Sequence, residues 1–184
     1  MQPVDTAPAR MLLLPGWMNS DADHWQSHWE RRHGCLRVQQ DDWVWPKRGD
    51  WMSRLETVVL ECPAPVVLIA HSLGCHLVGA WAAHTRHADR VRAAFLVAAP
   101  DLGRADLPPN LSTWRRDVRA GPLPFRGLSL YSCDDPFCSP TVSLEMARAW
   151  GVRAHALGAL GHVNSRSALG DWAPGWALLQ TLWA

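Results

Sequence analysis

The chain predicts an α/β fold, a mainly parallel sheet held between helices on both faces in three layers. Three observations lead there. Short apolar runs rich in β-branched residues alternate with segments of helical period along the whole chain. Prolines and glycines punctuate most of the junctions between them. One junction, Val66-Val67-Leu68-Ile69-Ala70-His71-Ser72-Leu73-Gly74, passes from strand to helix through a serine with small residues two before and two after it. So crowded a turn is a nucleophile elbow, which holds a serine hydroxyl at the carboxyl edge of a parallel sheet. The usual form has glycine at both flanking positions; here the first is Ala70.

The first strand is Met11 to Leu14, stopped by Pro15-Gly16. A helix follows from about Asp21 to Arg32, with Trp25, His28, Trp29 and Arg32 on one face and Asp21 or Asp23 as its cap. Cys35 to Gln39 is a second, less apolar strand. Asp41 to Gly49 is a loop, and Asp50 caps a helix running to about Leu60. Pro63 and Pro65 lead into the serine-bearing strand, and Gly74 to about Thr85 is the helix after it. Val91 to Ala98 is the next strand. Ala99 to Phe125, rich in proline, is a long excursion with one short helix near Trp114. Leu128 to Cys133 is a strand, Thr141 to Trp150 a helix, and Val152 to Leu157 a strand. Gly170 to Leu182 is mostly helical despite Pro174. No repeat or linker interrupts this order, so 184 residues are expected to form one domain, with residues 1–9 a flexible N-terminus.

A formal charge of +1 offers no basic excess for nucleic acid and no acidic arm. The apolar runs are too short to span a bilayer, and the first residues do not read as a signal peptide, so a cytoplasmic location is expected. Five cysteines, an odd number scattered through strands and helices, fit reduced structural thiols. Cys133 and Cys138 are too widely spaced for the usual zinc pair. His24 and His28 lack the intervening glutamate of a zinc-protease helix. No metal and no cofactor are expected. Arg115, Arg116 and Arg119 read as a solvated basic face. Twelve tryptophans read chiefly as core, with Trp17, Trp43 and Trp45 placed in or near loops where they could line a pocket.

A serine hydroxyl is a weak nucleophile near neutral pH and needs a base. In this architecture the partners follow in the order serine, acid, histidine. Leu128 to Cys133 runs into Asp134-Asp135-Pro136, and Val152 to Leu157 runs into the glycine-rich loop that carries His162. Ser72, Asp135 and His162 each follow a strand, so a parallel sheet brings them to one rim, where ligands gather. His162 is the candidate base. Asp134 and Asp135 compete for the acid, and Asp135 is favoured because Pro136 restricts its backbone and so its direction. The intermediate's oxyanion needs N–H donors. Leu73 supplies one, and the loop after the first strand the other, with Trp17 the first choice and Met18 the second.

These residues make the chain resemble a compact bacterial member of the α/β-hydrolase superfamily, close to the small serine hydrolases of the retinoblastoma-binding protein 9 and YdeN-like family. The resemblance runs from about Leu12 to Trp183. It is carried by Leu14-Pro15-Gly16-Trp17, Asp42-Trp43 through Asp50-Trp51, Ala70-His71-Ser72-Leu73-Gly74-Cys75, Ser132-Cys133-Asp134-Asp135-Pro136-Phe137, Trp150-Gly151, Gly161-His162-Val163-Asn164 and Gly170-Asp171-Trp172. It implies that Ser72, Asp135 and His162 are the triad. It also implies six main strands in the order 2-1-3-4-5-6 with no large lid. Ester hydrolysis is the expected activity, with a small-molecule substrate. Amide or peptide hydrolysis by the same triad and a protein-binding module on the hydrolase fold are the alternatives, and any protein partner is left open. The loop Asp41 to Gly49 and the excursion Ala99 to Phe125 should wall an apolar acyl site through Trp43, Trp45, Leu107 and Trp114. No basic cluster points into it, so short or medium neutral acyl esters are expected over long-chain lipids and anionic substrates.

Overall fold

The computed structural model describes residues 9–117 and 121–183. The expected N-terminal tail thus lies almost wholly outside the described residues, as do Arg119 and part of the excursion from Ala99 to Phe125. Six strands, β1 (Arg10–Leu14), β2 (Leu36–Arg37), β3 (Val66–His71), β4 (Val91–Val97), β5 (Arg126–Tyr131) and β6 (Arg153–Ala156), form one sheet in the order 2-1-3-4-5-6. Every neighbouring pair is parallel. Among the described residues there are five α-helices: α1 (Trp25–His33), α2 (Arg48–Glu61), α3 (Leu73–Ala82) and α4 (Pro140–Ala149) lie between strands, and α5 (Ala173–Gln180) follows β6. This is the α/β-hydrolase fold, and it carries the predicted order.

The period-two alternation of a strand sends its side chains to two separate cores. Leu12, Leu14, Leu68, Ala70, Ala94 and Leu96 face one, with Trp51 and Leu55 of α2, Leu77 and Trp81 of α3 and Met146 of α4. Leu13, Val67, Ile69, Ala93, Phe95 and Val97 face the other, with Trp25 and Trp29 of α1 and Leu179 of α5. β3 is buried throughout because helices cover it on both sides, which is why it reads as an unbroken apolar run. α3 is apolar on all sides and buried along nearly its whole length, as its sequence requires.

Several boundaries differ from the expectation. The cap of α1 is His24, whose Nδ1 accepts from the Gln26 N–H; Asp21 and Asp23 lie before it. Asp21 spends its carboxylate on the Asp23 amide and the Ser165 hydroxyl. α2 starts at Arg48, so Asp50 falls inside the first turn, where a carboxylate still favours the helix dipole. β2 covers only two residues at the sheet edge, and the Arg37 side chain there joins a network with Glu30, Asn19, Ser20 and Ser27. Pro174 lies in the first turn of α5, where its missing N–H costs no helical bond. The short helix near Trp114 is a 3-10 segment, Pro109–Asp117. Among the described residues no helix is long and apolar enough to cross a membrane.

Of the twelve tryptophans, Trp25, Trp29, Trp51, Trp81, Trp114, Trp150 and Trp172 are buried. Several use the indole N–H to pin a loop. Trp25 donates to Val163 O at 2.9 Å, Trp29 to Asp171 O at 2.8 Å and Trp114 to Pro46 O at 2.8 Å. Burying an indole with its donor satisfied combines a large apolar contact with a fixed polar anchor.

Candidate active site

The elbow follows β3. Ser72 adopts φ 53° and ψ −125°, a strained backbone for a residue with a side chain. Its N–H donates to Val97 O at 2.9 Å, and its carbonyl accepts from Cys75 N–H at 2.9 Å. The close approach explains the small neighbours. A Cβ on Gly74 would stand 2.1 Å from Leu14 O, and one on Gly16 would stand 2.7 Å from Ser72 Cβ. Gly74→Ala is therefore expected to cost on the order of 3 kcal/mol, because a backbone atom with little freedom must move. Gly49, in the first turn of α2, has nothing within 4 Å of its ideal Cβ. There, alanine should be neutral or stabilising by about 0.5 kcal/mol. Denaturant unfolding of the two variants checks the contrast, and equal effects would contradict it.

The structure brings Ser72, His162 and Asp135 together. His162 Nε2 stands 2.9 Å from Ser72 Oγ. Its Nδ1 stands 2.9 Å from Asp135 Oδ2 and 3.0 Å from Oδ1. The side chains of His162 and Asp135 are only 10% and 3% exposed. Asp135 also accepts from the Phe137 N–H at 2.9 Å, a bond that the extended backbone before Pro136 permits. Asp134 has a different task. It accepts from the Ser132 hydroxyl at 2.6 Å and the Gly161 N–H at 2.7 Å, bracing the loop that carries His162. Those donors, the Ser132 hydroxyl first, hold its pKa below the usual carboxylate value.

The His162 loop is anchored from several sides. Leu160 donates its N–H to Ser132 Oγ and accepts from the Ser167 hydroxyl. The His71 Nε2–H donates to the carbonyl of His162 at 2.9 Å, so the residue before the serine grips the backbone of the histidine. The ring of Phe137 stands edge-on to His162 with centroids 4.6 Å apart. The sequence placed His71 as structural without its partner, which lies 91 residues away. Trp25, which holds Val163 O, went unassigned for the same reason.

Leu73 opens α3, so its N–H has no partner within the helix. In the loop after β1, Met18 N–H is committed to Trp43 O and Asn19 N–H to Gly16 O. The N–H of Met18, the second choice, is thus occupied, and Trp17 and Met18 both line the cavity at Ser72. This cavity is about 220 Å³, small beside a typical drug-sized pocket. Its walls include Trp17, Met18, Asn19, Asp21, Asn164 and Arg166. The expected apolar wall of Trp43, Trp45, Leu107 and Trp114 is not what lines it. Trp43 and Trp114 pack on Trp51 in the core, while Trp45 is 61% exposed.

Three histidines near these elements are buried in neutral form. Burial holds His24 at a pKa of about 3 and His76 at about 4, and pushes His71 well below its usual value; neighbouring histidines add to the last shift. As pH falls below about 6.5 the unfolded chain takes up these protons and the folded chain does not. The unfolded state therefore binds more protons, and stability falls with pH through the window between about 6.5 and 4. The melting temperature is expected to be level above about pH 7.5 and to decline steadily below 6.5. A level profile from pH 7.5 to 4.5 would contradict the neutral burial of these rings.

The fold and the serine at its elbow define an α/β hydrolase. The chain belongs to the serine hydrolase family, whose sequence pattern it matches over residues 11–181, and so to the group of retinoblastoma-binding protein 9 and YdeN-like proteins. A YdeN-like hydrolase from Pectobacterium atrosepticum is similar over 95% of this chain and 90% of its own, at 30% identity and a TM-score of 0.79. The ydeN gene product of B. subtilis covers 95% of this chain and 98% of its own at 17% identity, with a TM-score of 0.75. The esterase domain of a Rhodothermus marinus protein is similar in fold at 20% identity and a TM-score of 0.64, over 95% of this chain and 89% of its own. No protein of curated function matches the sequence.

Proposed function

We propose that the protein hydrolyses carboxylic esters of small molecules through Ser72, His162 and Asp135, with an acyl-enzyme intermediate and no cofactor. The observation that carries this is the unbroken hydrogen-bond chain from Ser72 Oγ through both nitrogens of His162 to Asp135, each link about 2.9 Å. His162 Nε2 takes the hydroxyl proton as Ser72 Oγ bonds to the ester carbon. It then returns the proton to the departing alcohol oxygen as the ester C–O bond breaks. Water repeats the sequence on the acyl-enzyme and frees the acid. Asp135 keeps the proton of neutral His162 on Nδ1 and stabilises the imidazolium. The N–H groups of Leu73 and Trp17 receive the oxyanion. A cytoplasmic setting is part of this reading. Cys35, Cys62, Cys75 and Cys138 are buried and free. Burial raises the pKa of each thiol, Cys35 to about 12, and a protonated thiol is inert.

Matched p-nitrophenyl esters and p-nitroanilides of acetate and butyrate test the reaction class. The expected result is ester turnover well above the anilide, with a burst of p-nitrophenol as the acyl-enzyme fills. Faster cleavage of the anilides would assign an amidase, and no turnover of either would remove the hydrolytic reading.

A further inference from the structure

A second cavity, of about 390 Å³, lies against His162, with walls that include Pro136, Phe137, Leu160 and Arg166. Arg166 and Asn164 line this cavity and the one that contains Ser72, so they stand where the two meet. The backbone of Arg166 is fixed. Its N–H donates to Asn164 Oδ1 at 3.0 Å, within a short turn that the Ser167 hydroxyl closes from the other side. Its guanidinium makes no hydrogen bond or ion pair with any described residue.

Other arginines on the surrounding elements are spent. Arg37 is buried against Glu30 and Asn19. Arg104 holds Asp106 and the carbonyl of Pro136, and Arg32 holds Asp171. Among the described residues Asp21 is the one acid lining the Ser72 cavity, and the Ser165 hydroxyl, donating to it at 2.5 Å, holds it in the charged form away from the second cavity's lining. Among the described residues the lining of the second cavity holds no acid and Arg166 is its one arginine, while Arg104 lies 5.9 Å over the ring of Phe137. An exposed, uncommitted guanidinium on a fixed backbone, beside an aromatic wall, suits a carboxylate, which it can grip with two parallel N–H bonds.

We infer that Arg166 is a specificity-determining residue that binds a carboxylate on the substrate, making the preferred substrate a small anionic ester with an apolar or aromatic portion against Phe137. This departs from the expectation of neutral acyl esters, which rested on the apolar loop residues Trp43, Trp45, Leu107 and Trp114 and on no basic cluster pointing into the site. It rests on the hydrolase reading for the word ester, but not for the anion site.

Two ester pairs test it. p-Nitrophenyl valerate against p-nitrophenyl hemiglutarate places the charge on the acyl half. Phenyl acetate against 3-acetoxybenzoate places it on the leaving half. In at least one pair the wild-type protein should favour the charged member in kcat/KM, chiefly through KM. Arg166→Gln should reduce that charged-to-neutral ratio about fivefold or more, and Arg166→Lys should restore part of it. A neutral preference in both pairs, or a ratio that Arg166→Gln leaves unchanged, would overturn the assignment. Calorimetric titration with benzoate reads the same cation without catalysis. Binding that weakens at least fivefold in Arg166→Gln supports the anion site even if no ester is turned over, an outcome that would remove only the hydrolase reading. Benzoate that binds neither protein, or both equally, overturns it.

Discussion

Asp135→Asn is expected to lower kcat by about 10⁴-fold while leaving the fold intact, the scale of the corresponding change in another serine triad. Asp135 is nearly fully buried and faces Nδ1 of His162 with both oxygens, so it sets where the imidazole carries its proton. An asparagine can offer its NH₂ to Nδ1, which favours the tautomer with the proton on Nε2, facing Ser72 Oγ. The base is then protonated on the wrong nitrogen, and the imidazolium formed during attack has lost its counter-charge. Asp134→Asn makes an internal control. Its side-chain oxygen can still accept from Gly161 N–H and the Ser132 hydroxyl. Only the charge is lost, at an exposed position, and the expected decrease is under about tenfold. Steady-state kinetics on p-nitrophenyl butyrate separate the two, and the reverse ranking would exchange the roles of these neighbours.

Ser72→Ala is expected to have the larger effect on turnover, on the order of 10⁶-fold, because the nucleophile itself is removed. Its effect on stability should be small. Alanine keeps the Cβ, so the strained φ of 53° is unchanged, and the lost hydroxyl removes only one part-buried hydrogen bond, to His162. Ester turnover should fall to the small residue that the oxyanion donors and binding alone sustain, while the melting temperature stays within a few degrees of wild type. Residual activity near wild type in a verified Ser72→Ala preparation would place the chemistry elsewhere.

The fold was legible because its determinants are local. β-branched runs, proline and glycine at the junctions and helical spacing are read within windows of about ten residues. The crowded turn at Ser72 was legible for a related reason: Gly74 is required by contact with Leu14, and small size shows in the sequence itself. Asp135 was separable from Asp134 because Pro136 acts on its immediate neighbour. Strand order came with the family resemblance and not from periodicity.

What the sequence did not yield depends on partners far along the chain. His71 looks like any residue of a buried strand until the carbonyl of His162 arrives beside it. The pocket walls failed for a similar reason. A loop tryptophan can turn inward or outward, and the outcome depends on whether an acceptor and an apolar neighbour meet it. Trp114 finds Pro46 O and Trp51 and is buried; Trp45 is left in solvent. Arg166 is one arginine among many by composition. Its distinction is its place in the lining of both cavities beside His162, which only the assembled fold reveals.

Labelling of the intact, folded protein with a fluorophosphonate tests the central claim most directly, because such a probe needs an activated serine and no knowledge of the substrate. One adduct per chain, mapped to Ser72 and absent from Ser72→Ala, is the expected result. Wild-type protein that is demonstrably folded yet stays unlabelled, or a Ser72→Ala protein that labels as fast as wild type, would contradict an active Ser72-His162-Asp135 site.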